Sequence, residues 1–389
     1  MRDIIITIYL FVFGVFFRLF KLLSLRNKIV IVVSFLENPL FIYNELQSRE
    51  NIPEIVFLTH KKHFTTLKSR NNSTFIIENK NLLHFFIGIY HLATAKEIVV
   101  DNYFGFLSAT PFKKQARVTQ IWHSVGAIKQ FGAMDPTNSN RSKRAKKRFY
   151  KVYKSFDYVL TGSKMMGEIF KKAFLINDSQ LLPFGVPRTD FFFDIESHKD
   201  IKKNLYKNYP NFRDKKIILF APTFRRYETV SDGLNLDISK LYEPLSKDYI
   251  LLVKLHPSIA GDIKIDEAFS DFVYNLSSYP NINDLMLITD ILVTDYSSLP
   301  MEFIFFQKPM IFYADDVQEY MNDNGLWEDY ASSVPGGLAT NETELIQAII
   351  ELEKSDNKLK SYYEKWVTYC DGSSSIRFVD FLLGIEEKR

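Results

Sequence analysis

Two sets of residues in this chain could do chemistry. The first is Trp122-His123-Ser124-Val125-Gly126, with Lys129 and Gly132 just beyond. It follows the β-rich Arg117–Gln120, so it is expected where a strand ends and a loop begins. Ligands of open α/β sheets bind at that rim. An imidazole changes charge near neutral pH, which makes His123 a candidate general base. The same residues also have a packing reading, with Trp122 and His123 as an aromatic pair and the glycines shaping a turn. The second set is Thr223, Arg225, Lys254, His256, Ser297, Ser298 and Glu302. Arg and Lys neutralise phosphate oxygens, Arg through two parallel bonds. Ser297 and Ser298 precede an expected helix over 301–306, and helix N-termini bind phosphate. Taken singly, each has a plainer role: Thr223 and Ser297 as caps, Lys254 as an exposed cation, His256 as a turn residue before Pro257. Their gathering at successive strand ends favours an anion site.

Serving one reaction, the two sets imply phosphoryl transfer. His123 takes a proton from an acceptor hydroxyl, and that oxygen attacks a phosphorus of a nucleotide-activated donor. Arg188, Arg225, His256 and the serine-bearing helix terminus stabilise the phosphate and the leaving nucleotide. No acidic cluster is spaced for a metal. Asp290, Asp295, Asp315 and Asp316 are the candidates, and Asp290 and Asp295 flank one strand. The expectation is therefore no metal and no cofactor, with basic residues doing the neutralising.

The elements that must position these groups read as two α/β domains. In the first half, strands are expected over 29–33, 55–58, 97–101, 118–122 and 158–163, with a helix over 82–94. In the second half they are expected over 216–220, 249–254, 291–294 and 310–313. Continuous β-branched runs between helices indicate open parallel sheets flanked by helices. Neither a GxGxxG fingerprint nor a P-loop is present, since Thr161-Gly162-Ser163-Lys164 lacks the upstream glycine. The division is an N-terminal segment 1–26, a domain 27–193 and a domain 194–389, whose last helices can cross back to the first.

The chain has 389 residues, 46% hydrophobic and 24% charged, which suits two globular domains. A net charge of +3 argues against a general nucleic-acid binder. Cys370 is the only cysteine, so no disulfide can form within the chain and no cysteine zinc site exists. Two segments point to a membrane. Ile4–Phe17 is apolar and uncharged but shorter than the roughly 20 residues of a spanning helix. It is expected to lie in the inner membrane surface, with Arg18, Lys21 and Arg26 near headgroups; a buried core helix and a true span are the alternatives. Residues 141–154 hold eight basic side chains in 14 and no acid. Arg141, Lys143, Arg144, Lys146, Lys147, Arg148 and Lys151 are expected to bind anionic lipid; nucleic acid and a merely solvated face are the competing readings.

Further motifs keep the same order: Gly185-Val186-Pro187-Arg188-Thr189-Asp190, Ala221-Pro222-Thr223-Phe224-Arg225, Lys254-Leu255-His256-Pro257 and Thr294-Asp295-Tyr296-Ser297-Ser298. Pro309 to Asp316 and Pro335-Gly336 follow. With Trp122-His123 and Lys129, this series resembles the CDP-glycerol glycerophosphotransferase family of wall teichoic acid primases and polymerases. The resemblance implies a GT-B-like architecture of two Rossmann-like domains with an interdomain cleft. It implies a peripheral protein on the cytoplasmic face of the cell membrane. The implied donor is CDP-glycerol, the product CMP, and the acceptor an undecaprenyl-diphosphate-linked disaccharide, bare or already primed with glycerol phosphate. Anionic lipids are implied partners and nucleic acid is not. The implied catalytic residues are His123 and His256. The implied donor site comprises Trp122, Ser124, Val125, Gly126, Arg188, Pro222, Thr223, Arg225, Lys254, Leu255, Ser297, Ser298 and Glu302. Many members have glycine directly after the motif histidine. Here Ser124 follows, which together with the chain length resembles the primase type and implies one or a few added units. CDP-ribitol or a nucleotide sugar is the alternative donor, and a non-catalytic membrane-bound binding protein is the reading from another class.

Overall fold

Runs of Val, Ile and Leu with no polar face form the strands at the centre of two separate parallel sheets. The computed structural model describes residues 2–77, 81–223, 234, 236–255, 265–317, 320, 325–352 and 356–385. The chain divides into two compact units, Met1–Phe193 with Val367–Arg389, and Asp194–Trp366.

In the first unit, helix α1 (Arg2–Phe20) precedes β1 (Arg26–Val33), α2 (Glu37–Gln47), β2 (Glu54–Thr59), α3 (Lys61–Lys68), β3 (Thr74–Ile76), α4 (Leu82–Thr94) and β4 (Ala95–Val100). Then come β5 (Arg117–Gln120), α5 (Lys143–Tyr153), β6 (Tyr158–Leu160), α6 (Lys164–Phe174) and β7 (Leu181–Leu182). The strands pair in parallel in the order β3-β2-β1-β4-β5-β6-β7. The order reverses between β1 and β4, the switch point where open α/β sheets bind ligands. β3 and β7 did not stand out in the sequence because edge strands of two or three residues carry no periodicity. β5 stops at Gln120 rather than Trp122, because Trp122 adopts a left-handed φ of 57° that no strand continues through.

The second unit runs α7 (Ile195–Asn208), β8 (Lys216–Phe220), α8 (Ile238–Leu245), β9 (Tyr249–Val253), β10 (Val273–Asn275), α9 (Ile282–Ile288) and β11 (Ile291–Thr294). It continues with α10 (Pro300–Phe303), β12 (Met310–Tyr313), α11 (Tyr330–Ser333), β13 (Gly337–Ala339), α12 (Glu342–Ile350) and α13 (Asp356–Trp366). Its parallel sheet has the order β10-β9-β8-β11-β12-β13, with the reversal between β8 and β11. The helix expected over 301–306 is the single turn α10, tightening into a 3-10 turn at Ile304–Phe306.

The final helix α14 (Ser374–Leu383) does not stay with the second unit but crosses back to the first, as the sequence left open, and the second unit ends at Trp366. Phe378 and Val379 are fully buried in the first core, beside Ile31, Val33, Ile42 and Leu46. The N-terminal segment is not separate either. One stripe of α1 packs on the first unit: Phe13 stacks on Phe106 at 5.3 Å and meets Phe85 at 5.7 Å, and Phe17 meets Phe112 at 5.2 Å. The other stripe stays exposed, with Phe11 at 70% and Ile4, Ile5 and Ile8 near 60%. Among the described residues, α1 is the one helix long and apolar enough to cross a membrane.

One buried polar pair makes stability pH-dependent. Lys28 on β1 lies 3.0 Å from Nδ1 of His91 on α4, and burial pushes the imidazole down to about 4. The folded chain therefore resists a proton that the unfolded chain takes up near 6.5. The contribution is fully present above pH 6.5 and is lost as pH falls through 4, with an upper size of about 3 kcal/mol. Urea midpoints measured from pH 7 to 4 should fall in the parent, and less steeply in His91→Gln. Equal slopes would refute the assignment.

Candidate functional site

At the switch point of the first sheet, β1 hands on to Ser34-Phe35 and β4 to Asp101. The Asp101 carboxylate is fully buried. It accepts from the Ser34 amide at 2.8 and 3.0 Å and from the Phe35 amide at 2.8 Å. It thus ties the ends of the two strands together. Burial nevertheless lifts its pKa to about 7, against the lowering effect of those amides.

His123 is built on this frame. Its Nδ1 lies 3.2 Å from the Asp101 carbonyl. A carbonyl can only accept, so Nδ1 carries the hydrogen and Nε2 the lone pair. The ring stacks on Phe35 at 4.5 Å and lies against Trp122 at 4.2 Å. Burial and then the positive charge of Arg188 hold its pKa down to about 4. The imidazole is neutral at pH 7, as a general base must be.

The bend that presents His123 is held from several sides. Trp122 donates its amide to Gln120 Oε1 at 2.9 Å, and its carbonyl accepts from Asn38 Nδ2 at 3.0 Å. Asn38 Oδ1 accepts from the Arg188 amide at 2.9 Å, and Arg188 Nη1 donates to the His123 carbonyl at 3.3 Å. The Trp122 ring stacks on Phe131 at 4.4 Å and is flanked by Phe170 and Phe174. The packing reading of Trp122-His123 therefore describes this loop, and the packed rings fix an imidazole whose Nε2 carries the lone pair. Of the other predicted residues, Ser124 accepts weakly from the Gly126 amide at 3.4 Å. Val125 is fully buried, so its side chain cannot touch a ligand. Asp101, Asn38 and Phe35 escaped the sequence reading. The available signal was an acid directly after the apolar run Ile98–Val100.

The second sheet repeats the device. Asp295, directly after β11, accepts from both the amide of Thr223, at 2.7 Å, and its hydroxyl, at 2.5 Å. Thr223 lies just past β8, so an aspartate again joins the two strand ends at the switch point. Thr294 Oγ1 donates to the Ala221 carbonyl at 2.6 Å and approaches Ser297 Oγ at 3.3 Å. Ser297 Oγ accepts from the Leu299 amide at 3.0 Å, and Ser297, Ser298 and Pro222 are partly exposed at this rim. Glu302 is buried behind them. Lys254 donates to the Ser277 and Tyr279 carbonyls at 2.7 and 2.6 Å, which leaves one of its three N–H groups for an anion. Leu255 is a core residue and can offer a ligand only its backbone. Asp290 accepts from the Ile217 amide at 2.9 Å and Asp316 from the Tyr296 hydroxyl at 2.9 Å, so both serve structure. His256 and Arg225 lie outside the described residues. Among the described residues, no group of three or more His, Cys, Asp or Glu side chains could hold a metal ion.

Thr223→Val tests the second frame. It removes a hydroxyl from a buried carboxylate and should cost about 1–3 kcal/mol. Thr223→Ser should restore most of that, as read by thermal unfolding. Equal losses in both variants would show that shape, not the hydroxyl, matters.

Comparison with known proteins completes the assignment. A model of "CDP-Glycerol:Poly(glycerophosphate) glycerophosphotransferase" matches residues 15–384. A teichoic acid glycerol-phosphate primase of Bacillus subtilis is 35% identical over 98% of both chains. A teichoic acid ribitol-phosphate primase of Bacillus spizizenii is 30% identical over 95% of both. A teichoic acid poly(glycerol phosphate) polymerase of the same species is 28% identical over 98% of both, so chain length does not separate primase from polymerase. Among solved structures, the wall teichoic acid polymerase TagF shares the fold, with a TM-score of 0.77 at 21% identity over 95% of this chain and 92% of that one. A match across nearly the whole chain, with the ordered motifs at both sheet rims, places this enzyme in the CDP-glycerol glycerophosphotransferase family.

Proposed function

We propose that this protein transfers glycerol phosphate from CDP-glycerol to a polyprenyl-diphosphate-linked saccharide in wall teichoic acid synthesis. The observation that carries the reading is the neutral imidazole of His123, held by the Asp101 carbonyl at a sheet switch point. Nε2 takes the proton of the acceptor hydroxyl. The oxygen bonds to the glycerol-bearing phosphorus, and the bond from that phosphorus to CMP breaks, with CMP keeping the electron pair. The donor groups are assigned to Arg188 in the first unit and to Thr223, Lys254, Ser297 and Ser298 in the second, with Arg225 and His256 completing the set. In this reading the groups of both rims serve one reaction.

Addition of one or a few units is supported by Ser124 and by the primase of Bacillus subtilis. Attachment to the cytoplasmic membrane face is supported by the exposed apolar stripe of α1 and the basic α5. The test is mass spectrometry after incubation with CDP-glycerol and a defined lipid-linked disaccharide, bare or primed. Release of CMP with a matching gain of one to a few glycerol phosphates is expected. Absence of both would end the proposal, and turnover with CDP-ribitol alone would move it to the ribitol branch.

A further inference from the structure

The basic residues of α5 are not spread evenly. Arg144, Lys147, Arg148 and Lys151 follow i, i+3, i+4, i+7 spacing and so form one helical stripe. That stripe faces α1, and together with Arg18 it lines a groove of about 410 Å³. Leu10, Phe11 and Gly14 of α1 supply an apolar side, and among the described residues no acidic side chain lines it. Arg144, Lys147 and Lys151 form no ion pair among the described residues. Cations gathered without counter-charge repel one another and raise the local potential, which favours a multivalent anion. The apolar side continues into the exposed stripe carrying Ile4, Ile8 and Phe11, a surface that suits an anion joined to an apolar chain.

A second cavity, of about 570 Å³, shares Leu10 and Arg148 with the groove. His60 after β2, Ile77 after β3 and Tyr103 beyond β4 line it, so it lies on the sheet rim that carries His123. From β2 to β5 there are three strand spacings, about 14 Å. Arg148 stands at the junction. Its Nη2 meets Asp3 Oδ1 at 2.7 Å, and Ser142 donates to Asp3 Oδ2 at 2.8 Å. Asp3 thus holds a carboxylate where a phosphate oxygen would fit.

Resting on the proposed reaction, we infer that this groove seats the diphosphate of the lipid-linked acceptor. The polyprenyl chain then leaves along α1, the saccharide lies over the neighbouring cavity toward His123, and Asp3 is displaced from Arg148. The test measures binding of farnesyl diphosphate, a short soluble polyprenyl diphosphate, to the full chain. Farnesol and inorganic pyrophosphate should each bind at least tenfold more weakly. The double variant Arg144→Gln, Lys147→Gln should lose at least tenfold, and its acceptor KM should rise while the CDP-glycerol KM holds. Asp3→Asn should bind as tightly or more tightly, whereas Arg148→Gln should weaken binding. Equal weakening by Asp3→Asn and Arg148→Gln would mean that the pair only fastens α1, and would overturn the proposal. Displacement of the probe by phosphatidylglycerol at equal concentration would overturn it too, making the groove a membrane headgroup site. Binding needs no turnover, so binding without CMP release would sink the reaction alone. CMP release without binding would sink the groove alone.

Discussion

His123→Ala should lower turnover by between about a hundredfold and ten-thousandfold, the range for losing a positioned general base. Thermal stability should change far less, because the ring is partly exposed and its neighbours Phe35 and Trp122 keep other contacts. His123→Gln restores a hydrogen-bond donor to the Asp101 carbonyl but supplies no basic lone pair, so it should fold well and stay inactive. The pH profile adds an independent check. With the imidazole held down to about 4, the base remains unprotonated through pH 5, and the acid limb set by His123 should lie below the ordinary 6.5. A parent acid limb near 6.5, or turnover in His123→Gln within a few-fold of the parent, would remove His123 from the base role.

Gly185→Ala should cost more folding stability than any other single change considered, above about 3 kcal/mol. Gly185 has φ of +84°, in the region L side chains rarely adopt. A Cβ there would lie 2.2 Å from Ser374 Oγ and 2.5 Å from the Tyr369 carbonyl. The serine can rotate, but the carbonyl is backbone and cannot move alone. The consequence reaches the site because the motif has two other attachments. Asp190 accepts from the amides of Ser374 and Ser375 at 2.9 and 2.8 Å, holding the start of α14. Arg188 reaches the His123 carbonyl. Loosening Gly185 should therefore loosen both α14 and the loop that carries His123. Denaturant unfolding and activity measured together test this. A variant that keeps the parent midpoint would show that the backbone yields there.

Much of this molecule was legible as sequence because its chemistry is local. Buried parallel strands are continuous β-branched runs, so the central strands could be read, while the short edge strands β3, β7, β10 and β13 could not. Helix α4 occupies the expected Leu82–Thr94, and the structure adds the Asn81 side chain as its cap, accepting from the His84 amide. Ser297 was readable both as a cap and as a rim residue; its Oγ accepts the Leu299 amide at the rim, but the N-cap of α10 is Leu299, with no side-chain cap.

Other features have no local signature. Asp101 and Asp295 are short acids after strands, and only the sheet order brings them to the reversal of each sheet. The packing reading of Trp122-His123 and the chemical reading of His123 are alternatives in one dimension. They are compatible because a left-handed turn at Trp122 lets one ring pack inward while the next is presented at the rim. The C-terminal helix could not be assigned to a domain from its residues. An amphipathic helix records that it has an apolar face, not which core that face enters.

The sequence by itself determined the two α/β units, the order of the motifs and hence the family, since these reside in residue type and spacing. Tertiary structure decided which groups frame His123, why it is neutral, and that α1 and α5 converge on one groove. Those are properties of burial and of contacts between residues far apart in the chain, and no spacing rule encodes them.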